Sequence, residues 1–331
     1  MHRFAIFRPL LATVLCLAAT GRAPAAVVNP LSTSAAAINT TGYEDSPFLT
    51  ADGTALYFMY TPWSIWPTFF GGQPVLLGPE RPNHHINPDR NPWEDSDVYV
   101  AYQQPDGTWS APQNLGFNDA QADCCAMTWN GALFAYQRTQ APNSPLTDIY
   151  FVERQSDGRW VRTSAGPGVN TATASESNPH LTADGAHLFF TSDRRGGFGR
   201  NDLYVSDRLG NGAWGPARNL GPTFNTAENE DQIWVSRDGR TIYFNREPGP
   251  EILVSTYGNG AWSIPVAVEF GGMRIAAAEA SLTDDGTRIV FAQVRPDLQD
   301  IVIVTARRQD DGTWSAPVPI ECDSHPSACV P

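Results

Sequence analysis

The sequence predicts an all-β fold: a β-propeller of five blades, each a four-stranded antiparallel sheet. Three observations carry this. A turn glycine recurs at Gly53, Gly131, Gly185, Gly239 and Gly286. A Gly-x-Trp element recurs at Trp109, Trp160, Trp214, Trp262 and Trp314, with spacings of 51, 54, 48 and 52 residues. Between these markers an acid opens a β-run each time, at Asp97 ("DVYV"), Asp148 ("DIYF"), Asp202 ("DLYV"), Glu251 ("EILV") and Asp300 ("DIVI"). Three markers in one order, five times, at a period of roughly 50 residues, is the pattern of propeller blades. An irregular β-sandwich leaves the tryptophan register unexplained.

The third repeat shows the unit in full, from Glu176 to Leu220. "PHLT" is extended and apolar, and Asp184-Gly185 is a tight-turn dipeptide. "HLFFTS" is an aromatic strand, "SDRRGGFGRN" a Gly-rich reversal, and "DLYVSDR" alternates as a strand does. Asn211-Gly212 then turns the chain into "AWGPARNL". "ESNPHLTADGAHLFFTSDRRGGFGRNDLYVSDR" resembles the WD40-like propeller repeat called PD40, seen in TolB-like periplasmic propellers and in OmpA-associated exported proteins. The fourth repeat ("ENEDQIWVSRDGRTIYFNR") and the first ("EDSPFLTADGTALYF") share the pattern, while the second and fifth lack the "SDR" element. The resemblance spans roughly Glu44 to Ile320 and implies a fold more than an activity, because such propellers serve many roles.

Residues 1–26 read as a secretory signal peptide. "MHRFAIFR" is basic, "PLLATVLCLAA" is apolar, and "APAA" offers small residues for cleavage. The apolar run is too short to span a membrane, and none follows it. Leu15 before Cys16 is too bulky for a lipoprotein signal, so a periplasmic or secreted protein is expected. Residues 27–331 then form one propeller domain, expected to be monomeric, with a net charge of −16 and no lysine. That composition gives no footprint for nucleic acid and excludes lysine-based Schiff-base chemistry. Four cysteines remain, Cys124, Cys125, Cys322 and Cys329, enough for two disulfides in an oxidising compartment. Cys322–Cys329 is the favoured pair, with Cys124–Cys125 as a vicinal bridge or two thiols. A cross-pairing of the tail with the second repeat competes. Zinc lacks its paired C-x-x-C spacing here.

Taken in order, residues 27–43 lead in, and their "INT" resembles "VNT" at Val169 and "FNT" at Phe224, which join successive blades. This segment is expected to lend an outer strand to the last blade, because an open ring leaves bare sheet edges. An insertion, residues 59–95, interrupts the first repeat: Gly53 to Gly131 is 78 residues, against 54, 54 and 47 for the later steps. Six blades is the runner-up, favoured only if residues 59–95 build strands of their own. Residues 321–331 read as a loose, polar tail.

Two constellations offer chemistry. Carboxylates of the first strands (Glu44, Asp45, Asp123, Glu176, Glu230, Asp231 and Glu279) are expected near one mouth of the central channel. Clustered carboxylates raise one another's pKa and suit acid–base work on a glycoside, or a hard cation such as calcium. Set against this, the repeated Glu belongs to the family pattern, and pairing with Arg138, Arg194 or Arg246 makes it structural. The insertion supplies Trp63, Trp66, Phe69, Phe70 and Trp93, which either stack on a sugar or anchor a protein, or pack on the loop itself and cap the channel. Its His84 and His85, with Asp89, read as a solvent-exposed pair in preference to a metal site. No nucleophile elbow, phosphate loop or dinucleotide fingerprint stands in the chain. The favoured function is an exported, non-catalytic scaffold for a protein or glycan, without cofactor. A carbohydrate-active enzyme using the acidic mouth is the alternative.

Overall fold

The computed structural model describes residues 31–85, 95–121, 123–142, 144–296 and 299–323, so the segment expected to be a signal peptide, residues 1–26, lies outside the described residues. Each repeat forms one antiparallel sheet, giving five blades. Blade 1 comprises Tyr43–Leu49, Ala55–Thr61, Asp97–Tyr102 and Gln113–Asn114. Blade 2 comprises Asp123–Met127, Leu133–Thr139, Thr147–Arg154 and Trp160–Ser164. Blade 3 comprises Glu176–Leu181, His187–Ser192, Asp202–Asp207 and Arg218–Asn219. Blade 4 runs Asn229–Val235, Thr241–Glu247 and Glu251–Gly258, then two short outer strands, Ala261–Trp262 and Val266–Ala267. Blade 5 comprises Ala277–Leu282, Arg288–Arg295, Asp300–Arg307 and Val318–Pro319.

The local sequence explains these elements. Strand Ala55–Thr61 is buried at every residue, because neighbouring blades cover both faces of a blade. Such a strand reads as one apolar run instead of alternating. Every first hairpin turns on its marker glycine, whose φ of 65–73° is open to glycine at little cost. In blade 1 the turn is braced by Thr50 Oγ1, which donates to Asp52 Oδ1 at 2.7 Å.

Neighbouring blades are joined in two layers. In the apolar layer a connector side chain packs on the next blade's tryptophan: Phe117 on Trp160 at 5.3 Å, Phe224 on Trp262 at 5.4 Å, Phe270 on Trp314 at 6.5 Å. Arginines lie over two of these rings, Arg154 5.9 Å from Trp160 and Arg308 4.5 Å from Trp314.

The polar layer is a repeated latch. Asn225 accepts from Leu203 N at 2.8 Å and donates to Leu203 O at 2.9 Å, clasping the third strand of the blade behind it. Thr226, next in sequence, donates its N–H and hydroxyl to Glu230 of the blade ahead, at 2.9 and 2.6 Å. Arg246 closes the arrangement on Glu230 at 2.7 Å and on Phe224 O at 2.9 Å. Asn170, Thr171, Glu176 and Arg194 repeat it between blades 2 and 3. Asn118, Asp119, Asp123 and Arg138 do so between blades 1 and 2.

Ring closure uses the same latch, and here the structure corrects the expected strand exchange. The fourth strand of blade 5 is its own Val318–Pro319. The lead-in contributes Asn39, bonded to Ile303 N at 2.7 Å and Ile303 O at 2.9 Å, and Thr40, bonded to Glu44. Residues 321–323 are not loose either: Glu321 accepts from Asn39 N at 2.7 Å, and Asp323 pairs with Arg288 and Arg307. Between blades 4 and 5 no asparagine stands at the latch position. Asn245 bonds Glu279 N and Ala277 O there, and Gly271 N bonds Trp314 O.

Among its described residues the insertion does build strands of its own, but too few for a sixth blade. It forms a two-stranded hairpin, Trp63–Ser64 with Val75–Leu76, around a 3-10 helix, Trp66–Phe70.

Asn225→Ala leaves the buried N–H of Leu203 without a partner, while Leu203 O keeps the bond from Leu220 N at 3.0 Å. One orphaned buried donor costs roughly 1–3 kcal/mol, which is the loss urea unfolding should show. A loss under half a kcal/mol would remove the latch from the account of stability.

Candidate site at the channel mouth

The five first strands line the central axis, and each carries a β-bulge. The bulged residues are Ser46, Cys125, Asn178, Gln232 and Glu279, with φ between 48° and 64°. Left-handed backbone is costly for such side chains, yet it recurs in all five blades. The bulge is therefore a property of the ring, and only the chemistry it presents varies. The turned N–H groups are received by side chains: Asn178 N by Gln137 at 2.9 Å, Gln232 N by Asp231 at 2.9 Å, Glu279 N by Asn245 at 3.0 Å, and Ser46 N by Asp45 at 2.8 Å and by Glu279.

Two residues further along each strand, Phe48, Met127, His180, Trp234 and Ser281 close the axis beneath the bulges. Phe48, His180 and Trp234 meet ring to ring, at 6.3 and 6.0 Å. His180 is buried and donates through Nε2 to Val235 O at 3.0 Å; burial holds its pKa down to about 3, so it stays neutral. The cavity left between these two tiers is about 60 Å³. That volume holds a few waters and no sugar ring.

Of the sequence-nominated carboxylates, Asp45, Asp231 and Glu279 stand in or beside the bulges at the mouth. Glu44, Asp123, Glu176 and Glu230 do not. They are fully buried in the latches, each paired with an arginine: Arg81, Arg138, Arg194 and Arg246 respectively. Burial raises the pKa of Glu44 and Glu176 against the opposing pull of those arginines and of the threonine donors. Asp123 occupies the latch position because blade 2 pairs Asp123 with Arg138, as blade 4 pairs Glu230 with Arg246.

The mouth carboxylates are electrically coupled. Burial pushes Asp45 from 3.8 up to about 6, with Asp231 repelling it and the Tyr43 hydroxyl and Ser46 N–H opposing the rise. Glu247, which the sequence reading passed over, ends the second strand of blade 4 and reaches about 7 through burial and the charge of Asp231. Asp231 is itself raised by burial, while Asn178 donates to it at 2.5 Å. Among the described residues no group of three or more His, Cys, Asp or Glu is arranged to hold a metal ion.

Cys124 and Cys125 are in disulfide contact with one another, their Cα atoms 3.8 Å apart, which excludes the cross-pairing with the tail. Both are partly buried, and Cys125 lines the cavity. Cys322 is itself disulfide-bonded; Cys329 lies outside the described residues.

The insertion rises on this same face, since Thr61, where the second strand of blade 1 ends, pairs with Tyr43, where the first strand starts. It corrects several expectations. Trp66 is not free to bind: it is buried against Tyr43, Met59, Val294 and Ile301, wedging blade 1 to blade 5. Trp63 donates its ring N–H to Asp95 at 2.8 Å, and Phe69 lies within the 3-10 helix. Trp93 and Asp89 lie outside the described residues. His84, expected at the surface, is buried between Asp95 at 3.4 Å and Asp97 at 3.3 Å; His85, partly exposed, also meets Asp97. Burial draws the His84 pKa down, but the two aspartates outweigh it and raise it to about 9. Arg81 is fully buried, stacked 4.1 Å over Tyr60 and bonded to Glu44. It brings to blade 1 the latch arginine that its second strand lacks. Among the described residues, Phe70, Val75, Leu76 and Leu77 are the insertion's exposed large apolar side chains.

No family model matches the chain, and no curated protein matches it. Solved structures do. A TolB from Agrobacterium tumefaciens aligns at TM-score 0.48 and 16% identity, over 85% of this chain and 82% of the other. TolB from Acinetobacter baumannii aligns at 0.42 and 18%, over 91% and 77%. An α-L-arabinofuranosidase from Lactobacillus brevis aligns at 0.41 and 10%, over 84% and 96%. These are likenesses of chain path alone.

Three outcomes are expected. Trp66→Ala, which empties a buried site, should cost about 3–5 kcal/mol in urea unfolding. His84 strengthens the fold fully below its ordinary pKa of 6.5, and that contribution should disappear as pH rises through about 9. The melting temperature should therefore fall between about pH 6.5 and pH 9, and His84→Gln should flatten that fall. Asp45, raised above 3.8, burdens the fold once ionised above about pH 6. Asp45→Asn should then raise the melting temperature at pH 8 and leave it unchanged at pH 3.

Proposed function

We propose that the protein is an exported, non-catalytic binding scaffold whose channel mouth, with the apolar ridge beside it, receives a segment of a protein partner. The ridge carries the reading. Phe70 is 61% exposed, Leu76 53% and Leu77 56%, and they stand on the face where Asp45, Asp231, Glu247 and Glu279 gather. Exposed apolar side chains next to an acidic, rigid ring suit a partner with basic residues beside apolar ones. The small cavity also favours a partner laid across the mouth over a ligand enclosed in it. Burial of Glu44, Glu176 and Glu230 in the latches removes the repeated glutamates as an acid–base pair. Export is supported by the apolar leader of residues 1–26 and by the disulfide contact at Cys124–Cys125. No helix among the described residues is long and apolar enough to cross a membrane.

Arrays of peptides and of glycans, probed with the folded protein, test this. Peptides pairing Arg or Lys with Leu or Phe should be retained, and binding should weaken at least tenfold in a Leu76→Ser, Leu77→Ser variant whose melting temperature is unchanged. Retention on glycans alone would transfer the scaffold to carbohydrate. Turnover of an oligosaccharide, lost in Asp231→Asn or Glu247→Gln, would overturn it in favour of an enzyme.

A further inference from the structure

The vicinal cysteines belong to none of the roles described so far. Cys124 and Cys125 sit at the bulge of blade 2, where the other blades place Asp45-Ser46, Ser177-Asn178, Asp231-Gln232 and Ala278-Glu279. The left-handed φ of Cys125, 56°, falls within the 48–64° of its four counterparts, none of which is a cysteine. The ring, not the sulfur–sulfur bond, therefore sets this backbone. Breaking the bond leaves the bulge in place, and the two sulfurs stay at the mouth.

Their surroundings are unusual for a structural disulfide. Both residues are only partly buried, and the loop that a bond between neighbours closes is too short to restrain the unfolded chain appreciably. The Ser46 hydroxyl lies 3.1 Å from the Cys125 sulfur and 3.5 Å from that of Cys124, close enough to donate to a departing thiolate. Glu279 approaches the same serine, and Asp45 precedes it, so the pair is overlooked by negative charge. The nearest arginine on this blade, Arg138, is engaged by Asp119 and Asp123.

We propose that Cys124–Cys125 is a thiol-exchange site at the channel mouth that takes neutral or cationic thiols and discriminates against anionic ones. A thiolate RS⁻ attacks one sulfur, forming a mixed disulfide and releasing the other cysteine as a thiolate that Ser46 can hydrogen-bond before it takes a proton from solvent. A second RSH then attacks the mixed disulfide. The products are RSSR and the Cys124/Cys125 dithiol, two electrons having passed from two thiols to the protein. The carboxylates set the preference, because a thiolate that carries further negative charge enters against their field, whereas one whose charge a neighbouring ammonium cancels does not.

The test uses the folded full chain, treated with cysteamine or with glutathione at equal thiolate concentration, quenched with N-ethylmaleimide and read by peptide mass. The Cys124/Cys125 peptide should gain two labels under native conditions, with circular dichroism unchanged. Cysteamine should act about tenfold faster than glutathione at low salt, and the ratio should shrink at high salt. Asp45→Asn should also narrow it. Labelling that appears only in denaturant, or equally fast without any thiol, overturns the proposal. Equal rates for the two thiols overturn its selectivity. None of these outcomes depends on partner binding, so the scaffold reading stands or falls separately.

Discussion

The structure depends on a side-chain amide clasping one peptide group of the blade behind it. Asn39, Asn118, Asn170 and Asn225 each offer an oxygen and a nitrogen to a single residue's N–H and C=O. A propeller must hold sheets together face to face, where few backbone bonds cross. Apolar packing supplies most of the attraction there, but it has no direction. The amide supplies direction. The following threonine or aspartate then passes the connection to a carboxylate of the next blade, and arginine ties that carboxylate back to the connector. Arginine suits the task because its fork reaches a carboxylate and a carbonyl at once.

The same arrangement explains the insertion. Opposite Glu44, where blade 4 has Arg246 opposite Glu230, blade 1 has Tyr60. The latch at ring closure would lack its cation without Arg81, which the insertion delivers over the Tyr60 ring. Part of the insertion thus belongs to the scaffold, through Trp66, His84 and Arg81. The remainder, the hairpin edge with its leucines, faces outward. A segment that first reads as an added binding loop divides into an anchoring half and a displayed half.

Much of the fold was legible in the sequence because glycine turns, tryptophans and strand acids each answer a local need that recurs once per blade. The likeness of "INT", "VNT" and "FNT" was also visible, though its purpose was not: an asparagine at a joint looks like any turn asparagine until its partner, far away in sequence, is known. The bulges were hidden. Only Asn178 is a residue type that favours left-handed backbone, and Ser46, Cys125, Gln232 and Glu279 give no such sign. Missing the latch is what placed Glu44, Glu176 and Glu230 at the mouth, since strand position alone does not say which way an acid leans. Trp66 and His84 were misread because a proline-rich insertion gives no periodicity from which burial can be read.

The joints also differ in how the chain passes them. Between blades 5 and 1 no peptide connects the sheets, yet Asn39, Glu321, Glu44 and Arg81 bind them together. Between blades 4 and 5 the chain runs on through the exposed Gly271-Gly272, the asparagine latch is absent, and a cleft of about 690 Å³ opens beside Trp314 and Arg308. Cutting the backbone at those glycines would leave the natural gap sealed and put the new ends where side chains contribute least. Joining residues 39 and 321 by a short linker would then give the blade order 5-1-2-3-4. In its non-covalent connections the ring has no first blade, and its numbering is an accident of where the peptide happens to be open.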